Sequence, residues 1–232
     1  MNQYNKNKKV GCILIHGFGG DSKEVSPLTD YLNERGYTTI CASLKGHTGK
    51  RSDLKKYTYQ DWINSAHECY KKINSECDYI FIFGFSMGGL IALQLANKFA
   101  VDAIVTLNTP IFFWNFKNVY SYLVDDIKNK KLTNTRRYVR SCTNFPIRSL
   151  INFRLLLSYS KKILSNVNCS LFIVQSLNDD AVKEKSGDYI YNNVSSQVKN
   201  LKFYEDSGHL ILWSNECNKV LRDIDLFIND II

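Results

Sequence analysis

The sequence has few of the residues that mark several large classes of protein. Only three prolines and four histidines occur among its 232 residues, and no apolar run approaches the roughly 20 residues that cross a bilayer. The apolar run at residues 10–15 is too short for a secretory signal, and no small-residue cleavage site follows it. The composition therefore predicts a globular protein without a membrane-spanning helix.

Paired cysteine motifs are also missing. The seven cysteines, at positions 12, 41, 69, 77, 142, 169 and 217, are odd in number and scattered, and none forms C-x-x-C. Three of them lie inside apolar runs, where a thiol behaves as a small hydrophobe. This usage argues against a disulfide scaffold or a zinc site, so we expect a reducing, cytoplasmic location and no metal.

Acidic residues are scarce in one segment, residues 111–165. It holds eleven lysines and arginines but only Asp125 and Asp126, a net charge of +9, whereas the whole chain carries +8. Its basic side chains form either a solvated face or a surface that attracts acidic substrates or weakly binds anionic lipid. No recognition motif accompanies the charge, so we expect no nucleic-acid partner.

Short apolar runs alternate with longer stretches of helical period. Six runs predict strands: VGCILIHG, YTTICAS, YIFIFGF, DAIVTLN, CSLFIVQS and VKNLKFYED. Strands this apolar are covered on both faces, which predicts an α/β protein with a mainly parallel sheet flanked by helices. Segment 111–165 interrupts the alternation. We therefore predict a core of residues 1–110 and 166–232 with a helical cap, or lid, inserted at 111–165.

One G-x-S-x-G motif, Gly84 to Gly88, lies where a predicted strand ends and a helix begins. A serine in this turn takes a strained backbone conformation, and glycine is needed two residues before and after it to avoid crowding. The alternative is a glycine-rich helix start without chemistry. The strand-turn-helix context favours Ser86 as a nucleophile.

A serine hydroxyl needs an oriented base. Of the four histidines, only His209 lies in a loop after the last predicted strand, whereas His67 is within a helix, and His16 and His47 are expected to order loops. The orienting acid is expected just past a late strand, where Asp179 and Asp180 stand side by side. The chain order Ser, Asp, His is one of the known orders of a catalytic triad.

An acyl-transfer site also needs backbone N–H groups aimed at the oxyanion. One donor should be the residue after the nucleophile, Met87. The loop HGFGG after the first strand should supply the other, and Phe18 is the candidate because glycines flank it.

These motifs resemble a known family. ILIHGFGGDSKEVSPLTDYLNERGY, LKGH, GFSMGG and SGH are similar to the α/β-hydrolase fold, and in particular to small bacterial carboxylesterases and monoacylglycerol lipases. The resemblance covers about residues 11–110 and 170–231. It implies Asp179, in a D-x-x-V pattern, as the acid, and Phe18 as an oxyanion donor. Thr48 and Phe85 depart from the family pattern, which leaves the shape of the substrate open.

The sequence therefore predicts a serine hydrolase of small carboxylic esters, with short or medium acyl chains or monoacylglycerols as substrates and no cofactor. Aromatic residues at the start of the cap, Phe112 and Trp114 among them, either bind the acyl chain or pack the cap on the core. A thioesterase or amidase with the same triad is the alternative. A non-catalytic α/β-hydrolase that serves as a binding protein is the second alternative.

Overall fold

A computed structural model describes residues 8–112 and 145–232 of the chain. It contains one sheet of six parallel strands in the order β2-β1-β3-β4-β5-β6. The strands are β1 Val10–Ile15, β2 Thr38–Cys41, β3 Tyr79–Phe85, β4 Ala103–Leu107, β5 Ser170–Ser176 and β6 Lys199–Tyr204. All six predicted strands and their parallel pairing are confirmed.

Helices cover both faces of the sheet. The α-helices of the described residues are α1 Ser26–Glu34, α2 Tyr59–Asn74, α3 Met87–Lys98, α4 Ile147–Lys162, α5 Lys185–Asn193 and α6 Cys217–Asn229. The first and last, α1 and α6, bury their apolar residues against one face, and α2, α3, α4 and α5 contribute to the core on the other. No helix of these two ranges is long and apolar enough to cross a membrane.

Successive residues of each central strand point into different cores. On β1, Ile13 and Ile15 enter the core beneath α2 and α3, whereas Cys12 and Leu14 enter the core beneath α1 and α6. Because both faces are covered, nearly every residue of β1, β3, β4 and β5 is buried. This explains why the strands read as continuous apolar runs without polar alternation.

The strand order places a crevice at the carboxyl ends of β1 and β3. The chain leaves β1 toward β2 on one side and returns to β3 on the other, so β1 and β3 are neighbours whose following loops diverge. Ligands of such sheets bind at this switch point. The loop after β1 and the turn after β3, which carry the HGFGG and G-x-S-x-G motifs, therefore lie side by side.

Helix α4 lies within the predicted cap but packs on the layer beside the sheet. Asn152 Oδ1 accepts a hydrogen bond from the Tyr59 N–H of α2 at 3.1 Å, and Leu156 is fully buried. Ser160 Oγ donates to Leu90 O of α3 at 3.3 Å. The remainder of the insertion, residues 113–144, lies outside the described residues, so the division into core and cap stays a prediction.

Glycines allow α3 to approach the sheet closely. A Cβ on Gly84 would collide with the backbone of Gly88 and Gly89, and a Cβ on Gly88 would collide with the carbonyl oxygen of Ile15. The predicted need for glycine on both sides of Ser86 therefore has two different causes. Position 84 faces the start of α3, and position 88 faces the end of β1.

We expect Gly88→Ala to destabilise the protein by about 2–3 kcal/mol, because the colliding atom belongs to a central strand that cannot move aside. This cost exceeds the gain of about 1 kcal/mol from replacing glycine by alanine within a helix. Denaturant unfolding would measure the difference.

Gly36→Ala is the matched control. Gly36 has a left-handed φ of 79° but no atom within 4 Å of an added Cβ, so its substitution should cost only about 1–2 kcal/mol from the backbone. A Gly88→Ala protein as stable as wild type would contradict the close approach of α3 to β1.

Candidate active site

Ser86 occupies the turn between β3 and α3 in a strained conformation. Its φ is +51° and its ψ is −119°, and its backbone N–H donates to Leu107 O of β4 at 2.8 Å. A residue held in such a sparsely populated backbone region costs about 1–3 kcal/mol. The turn leaves the residue about nine-tenths buried, with its hydroxyl held at the carboxyl edge of the sheet.

The three predicted triad residues meet at this edge. His209 Nε2 lies 3.1 Å from Ser86 Oγ, and His209 Nδ1 lies 2.8 Å from Asp179 Oδ2. An ionised carboxylate only accepts hydrogen bonds, so Nδ1–H donates to Asp179. This tautomer leaves the lone pair of Nε2 facing the serine hydroxyl.

Asp179, rather than Asp180, faces the imidazole. Its side chain is fully buried, and its second oxygen, Oδ1, accepts the N–H groups of Ala181 and Val182 at 2.7 and 2.8 Å. The carboxylate is thereby fixed by the turn that it begins. Asp180, the next residue, is exposed. Of the two acids that the residues alone leave open, Asp179 is the one within hydrogen-bonding distance of the imidazole.

Hydrogen bonds fix the backbone on both sides of Gly17 in the loop after β1. Gly17 O accepts His16 Nδ1–H at 2.9 Å and the Gly20 N–H at 3.3 Å, while the Gly17 N–H donates to Glu24 Oε2 at 2.8 Å. In a trans peptide, the C=O and the next N–H point in opposite directions. Fixing Gly17 O therefore also fixes the direction of the Phe18 N–H.

This loop lies against Ser86. A Cβ added to Gly17 would lie 3.3 Å from Ser86 Cβ, a tight contact that places the two residues directly against each other. Within residues 8–112 and 145–232, the Phe18 N–H has no hydrogen-bond acceptor. Met87 is the first residue of α3, where backbone N–H groups have no acceptor within the helix.

Burial keeps the two loop histidines neutral. His16 is almost fully buried, which lowers its pKa, and burial next to His16 lowers the pKa of His47 to about 4. Their ring centroids are 5.1 Å apart. Neither is a partner of Ser86, and His67 stacks on Phe99 at 4.3 Å, away from the site. The expectation that His209 is the histidine beside the serine agrees with this placement.

Of the two predicted substrate-binding residues, Phe112 and Trp114, the structure describes only Phe112. Phe112 packs edge-on against Tyr189 of α5 at 5.2 Å and lies beneath the ammonium groups of Lys161 and Lys185. These are the contacts of a packed side chain, so binding of an acyl chain by Phe112 stays a prediction. Trp114 lies outside the described residues.

Several residues of the site carry no recognisable signal in the sequence. Phe145 and Phe153 pack their rings on Phe18 at 4.8 and 5.3 Å and form an apolar wall beside the HGFGG loop. Glu24 accepts the Gly17 N–H of this loop, and burial raises the pKa of the Glu24 carboxyl. Asn108 joins the loop of His209 to β5.

Both departures from the family pattern have local explanations. Thr48 has no left-handed φ, and its hydroxyl donates to Asp53 Oδ2 at 2.7 Å, while the adjacent Gly49 takes the left-handed conformation. The bulky Phe85 is buried, and its ring lies 5.1 Å from the His209 imidazole. Phe85 therefore fills space under the histidine.

Metal-ligating side chains do not cluster in the part of the chain that the structure describes. In these two ranges no group of three or more His, Cys, Asp or Glu side chains is arranged to hold a metal ion. The six cysteines that fall within them are free thiols.

Comparison with known proteins agrees with this fold. A carboxylesterase of Bacillus subtilis is 27% identical over 230 residues, covering 96% of this chain and 94% of that protein. A thermostable monoacylglycerol lipase of a Bacillus species is 28% identical over 218 residues, covering 89% and 85%.

Solved structures show the same fold at lower identity. One from a study of the metagenome-derived lipolytic enzymes LipS and LipT superimposes with a TM-score of 0.81 at 20% identity, covering 96% of this chain and 94% of the other. A thermostable carboxyl esterase of Bacillus coagulans gives a TM-score of 0.73 at 19% identity, covering 97% and 91%.

The sequence profile described as the alpha/beta hydrolase fold matches residues 13–162, which is more than half of the chain. The predicted fold and the resemblance to bacterial carboxylesterases and monoacylglycerol lipases are thereby confirmed. The chain belongs to the α/β-hydrolase family.

Proposed function

We propose that the protein is a serine hydrolase that cleaves small carboxylic esters with short or medium acyl chains, or monoacylglycerols. One observation carries the proposal, the unbroken chain of hydrogen bonds from Ser86 Oγ through the His209 imidazole to Asp179. The two curated relatives, a carboxylesterase and a monoacylglycerol lipase, support the same substrate class. No cofactor is required for this chemistry.

In the first half-reaction, His209 Nε2 takes the hydroxyl proton of Ser86 as Oγ attacks the ester carbonyl. The carbonyl oxygen becomes an oxyanion, which the Phe18 and Met87 N–H groups would stabilise. Asp179 holds the imidazole in the required tautomer and stabilises its charged form. The alcohol then leaves with the proton from Nε2, and an acyl ester remains on Ser86.

In the second half-reaction, water replaces the alcohol. His209 Nε2 takes a proton from water as its oxygen attacks the acyl-enzyme, and the same two N–H groups stabilise the second oxyanion. Ser86 leaves with the proton from Nε2, and the free acid departs. The aromatic rings of Phe18, Phe145 and Phe153 beside the HGFGG loop offer an apolar surface that suits an acyl chain.

We expect a fluorophosphonate probe to label the wild-type protein on Ser86 and to leave Ser86→Ala unlabelled, because only an activated serine attacks phosphorus at a useful rate. Asp179→Asn should label at least 100-fold more slowly, since the imidazole loses its orienting acceptor. Asp180→Asn is the matched control and should label like wild type. Intact-protein mass spectrometry measures each rate.

Turnover measurements on the wild-type protein distinguish the substrate classes. Hydrolysis of p-nitrophenyl esters of rising chain length, and of monoacylglycerols, should exceed hydrolysis of acyl-thioesters and anilides in kcat/KM. A preference for thioesters or anilides would replace the proposal with a thioesterase or an amidase. Absence of labelling and turnover in folded wild type would favour a binding protein.

We also propose that the protein associates weakly with anionic lipid through α4. Four apolar side chains spaced four residues apart are exposed along this helix: Ile147 by 77%, Ile151 by 52%, Leu155 by 41% and Tyr159 by 45%. The helix carries two arginines, two lysines and no acidic residue. An apolar stripe among positive charges matches the surface of a bilayer that contains anionic lipid.

Sedimentation with vesicles tests this association. We expect binding to phosphatidylserine-containing vesicles at low salt, weaker binding at high salt, and at least threefold weaker binding for Ile151→Glu. Leu226→Glu is the control, because Leu226 is 63% exposed on α6, at the opposite face of the sheet. Equal losses in both variants, or no binding by wild type, would contradict the proposal.

A further inference from the structure

Asn108, the first residue after β4, has an unusual backbone conformation. Its φ is +47°, and within residues 8–112 and 145–232 only Ser86 is another non-glycine residue with a positive φ. Asparagine tolerates the left-handed region better than most residues, but the conformation still costs free energy. Asn108 is also fully buried. Strain at a buried polar residue next to a site suggests that the strained backbone serves to direct the side chain toward particular partners.

The side-chain amide of Asn108 is fully used. Its Nδ2 group lies 2.8 Å from His209 O, 3.0 Å from Ser176 Oγ and 3.2 Å from Gly208 O, so its two N–H donors serve three acceptors and one of the bonds is shared. Its Oδ1 accepts the Ser176 N–H at 2.7 Å and lies 3.4 Å from Gln175 Nε2. A side chain with this many partners could not be replaced by another residue type without leaving buried polar groups unpaired.

These partners belong to the two loops that carry the base and the acid. Ser176 ends β5, three residues before Asp179, and the carbonyl groups of residues 208 and 209 belong to the loop of the histidine itself. The carbonyl oxygen of Leu107, the residue before Asn108, accepts the backbone N–H of Ser86. The end of β4 is therefore bonded to all three segments that the proposed triad needs.

We propose that Asn108 is a positioning residue that sets the distance between the histidine loop and the acid loop. The proposal rests on the hydrolase function proposed above. The imidazole must reach Asp179 with one nitrogen and Ser86 with the other. Because a displacement of about 1 Å can cost roughly 100-fold in rate, an anchor on the His209 carbonyl controls the chemistry without touching the substrate.

Two substitutions separate the amide from the backbone strain. Asn108→Gly removes the amide but accepts a positive φ, whereas Asn108→Ala removes the amide and keeps the strain. We expect both to lower kcat by about 10–100-fold per active site titrated with the fluorophosphonate, with KM changed less than about threefold. Asn193→Ala is the control, because its amide also donates to a backbone carbonyl, that of Tyr189, but on the exposed end of α5.

Hydrogen exchange gives a readout that does not depend on catalysis. Amides of residues 177–182 and 205–210 should exchange faster in both Asn108 variants than in wild type, and those of β1 and β3 should not. Wild-type kcat in Asn108→Gly, or unchanged exchange in both loops, would overturn the proposal. If wild type neither labels nor turns over, the proposed hydrolase function fails, and the exchange measurement alone decides whether Asn108 holds the loops.

Discussion

The His209 imidazole joins Ser86 to Asp179 in the candidate site, and both of its hydrogen bonds depend on how the surrounding backbone is held. His209 reaches Ser86 only because the serine backbone is held at a positive φ at the end of β3. It reaches Asp179 only because the loops after β5 and β6 emerge at the same edge of the sheet. The strain at Ser86 is offset by its N–H bond to β4 and by glycines that let α3 pack closely.

Much of this arrangement was predictable because it follows from local patterns. Continuous apolar runs predict strands buried on both faces, and parallel strands place their carboxyl ends at one edge. The G-x-S-x-G motif predicts the strained turn, since the sterics at Gly84 and Gly88 act within a few residues or against the neighbouring strand. These constraints bring Ser86 and His209 to the same edge before any side-chain contact is considered.

Other features were not predictable because they depend on contacts between distant residues. The residues alone leave Asp179 and Asp180 open, and only the family resemblance points to Asp179. The physical reason is that the Asp179 side chain turns back to accept the N–H groups of Ala181 and Val182. Asn108 contacts residues about 100 positions away in the chain. Nothing in its own neighbourhood, LNTP, distinguishes it from a surface turn. Such contacts arise from the packing of the whole sheet, so sequence patterns of short range do not record them.

The loop after β1 combines both kinds of constraint. Its glycines indicate close approach of the backbone, which the sequence predicts. Its orientation depends on the buried, neutral His16, which donates to Gly17 O, and on Glu24, which accepts the Gly17 N–H. A loop held in this way fixes the direction of the Phe18 N–H before a substrate arrives, which is the preorganisation that the proposed oxyanion role of this group requires.

A crystal structure of the protein after reaction with a fluorophosphonate would test the central claim most directly. The account predicts phosphorus bonded to Ser86 Oγ, with the phosphoryl oxygen within hydrogen-bonding distance of the Phe18 and Met87 N–H groups and His209 still on Asp179. An adduct on another side chain, or a phosphoryl oxygen directed away from both N–H groups, would contradict it.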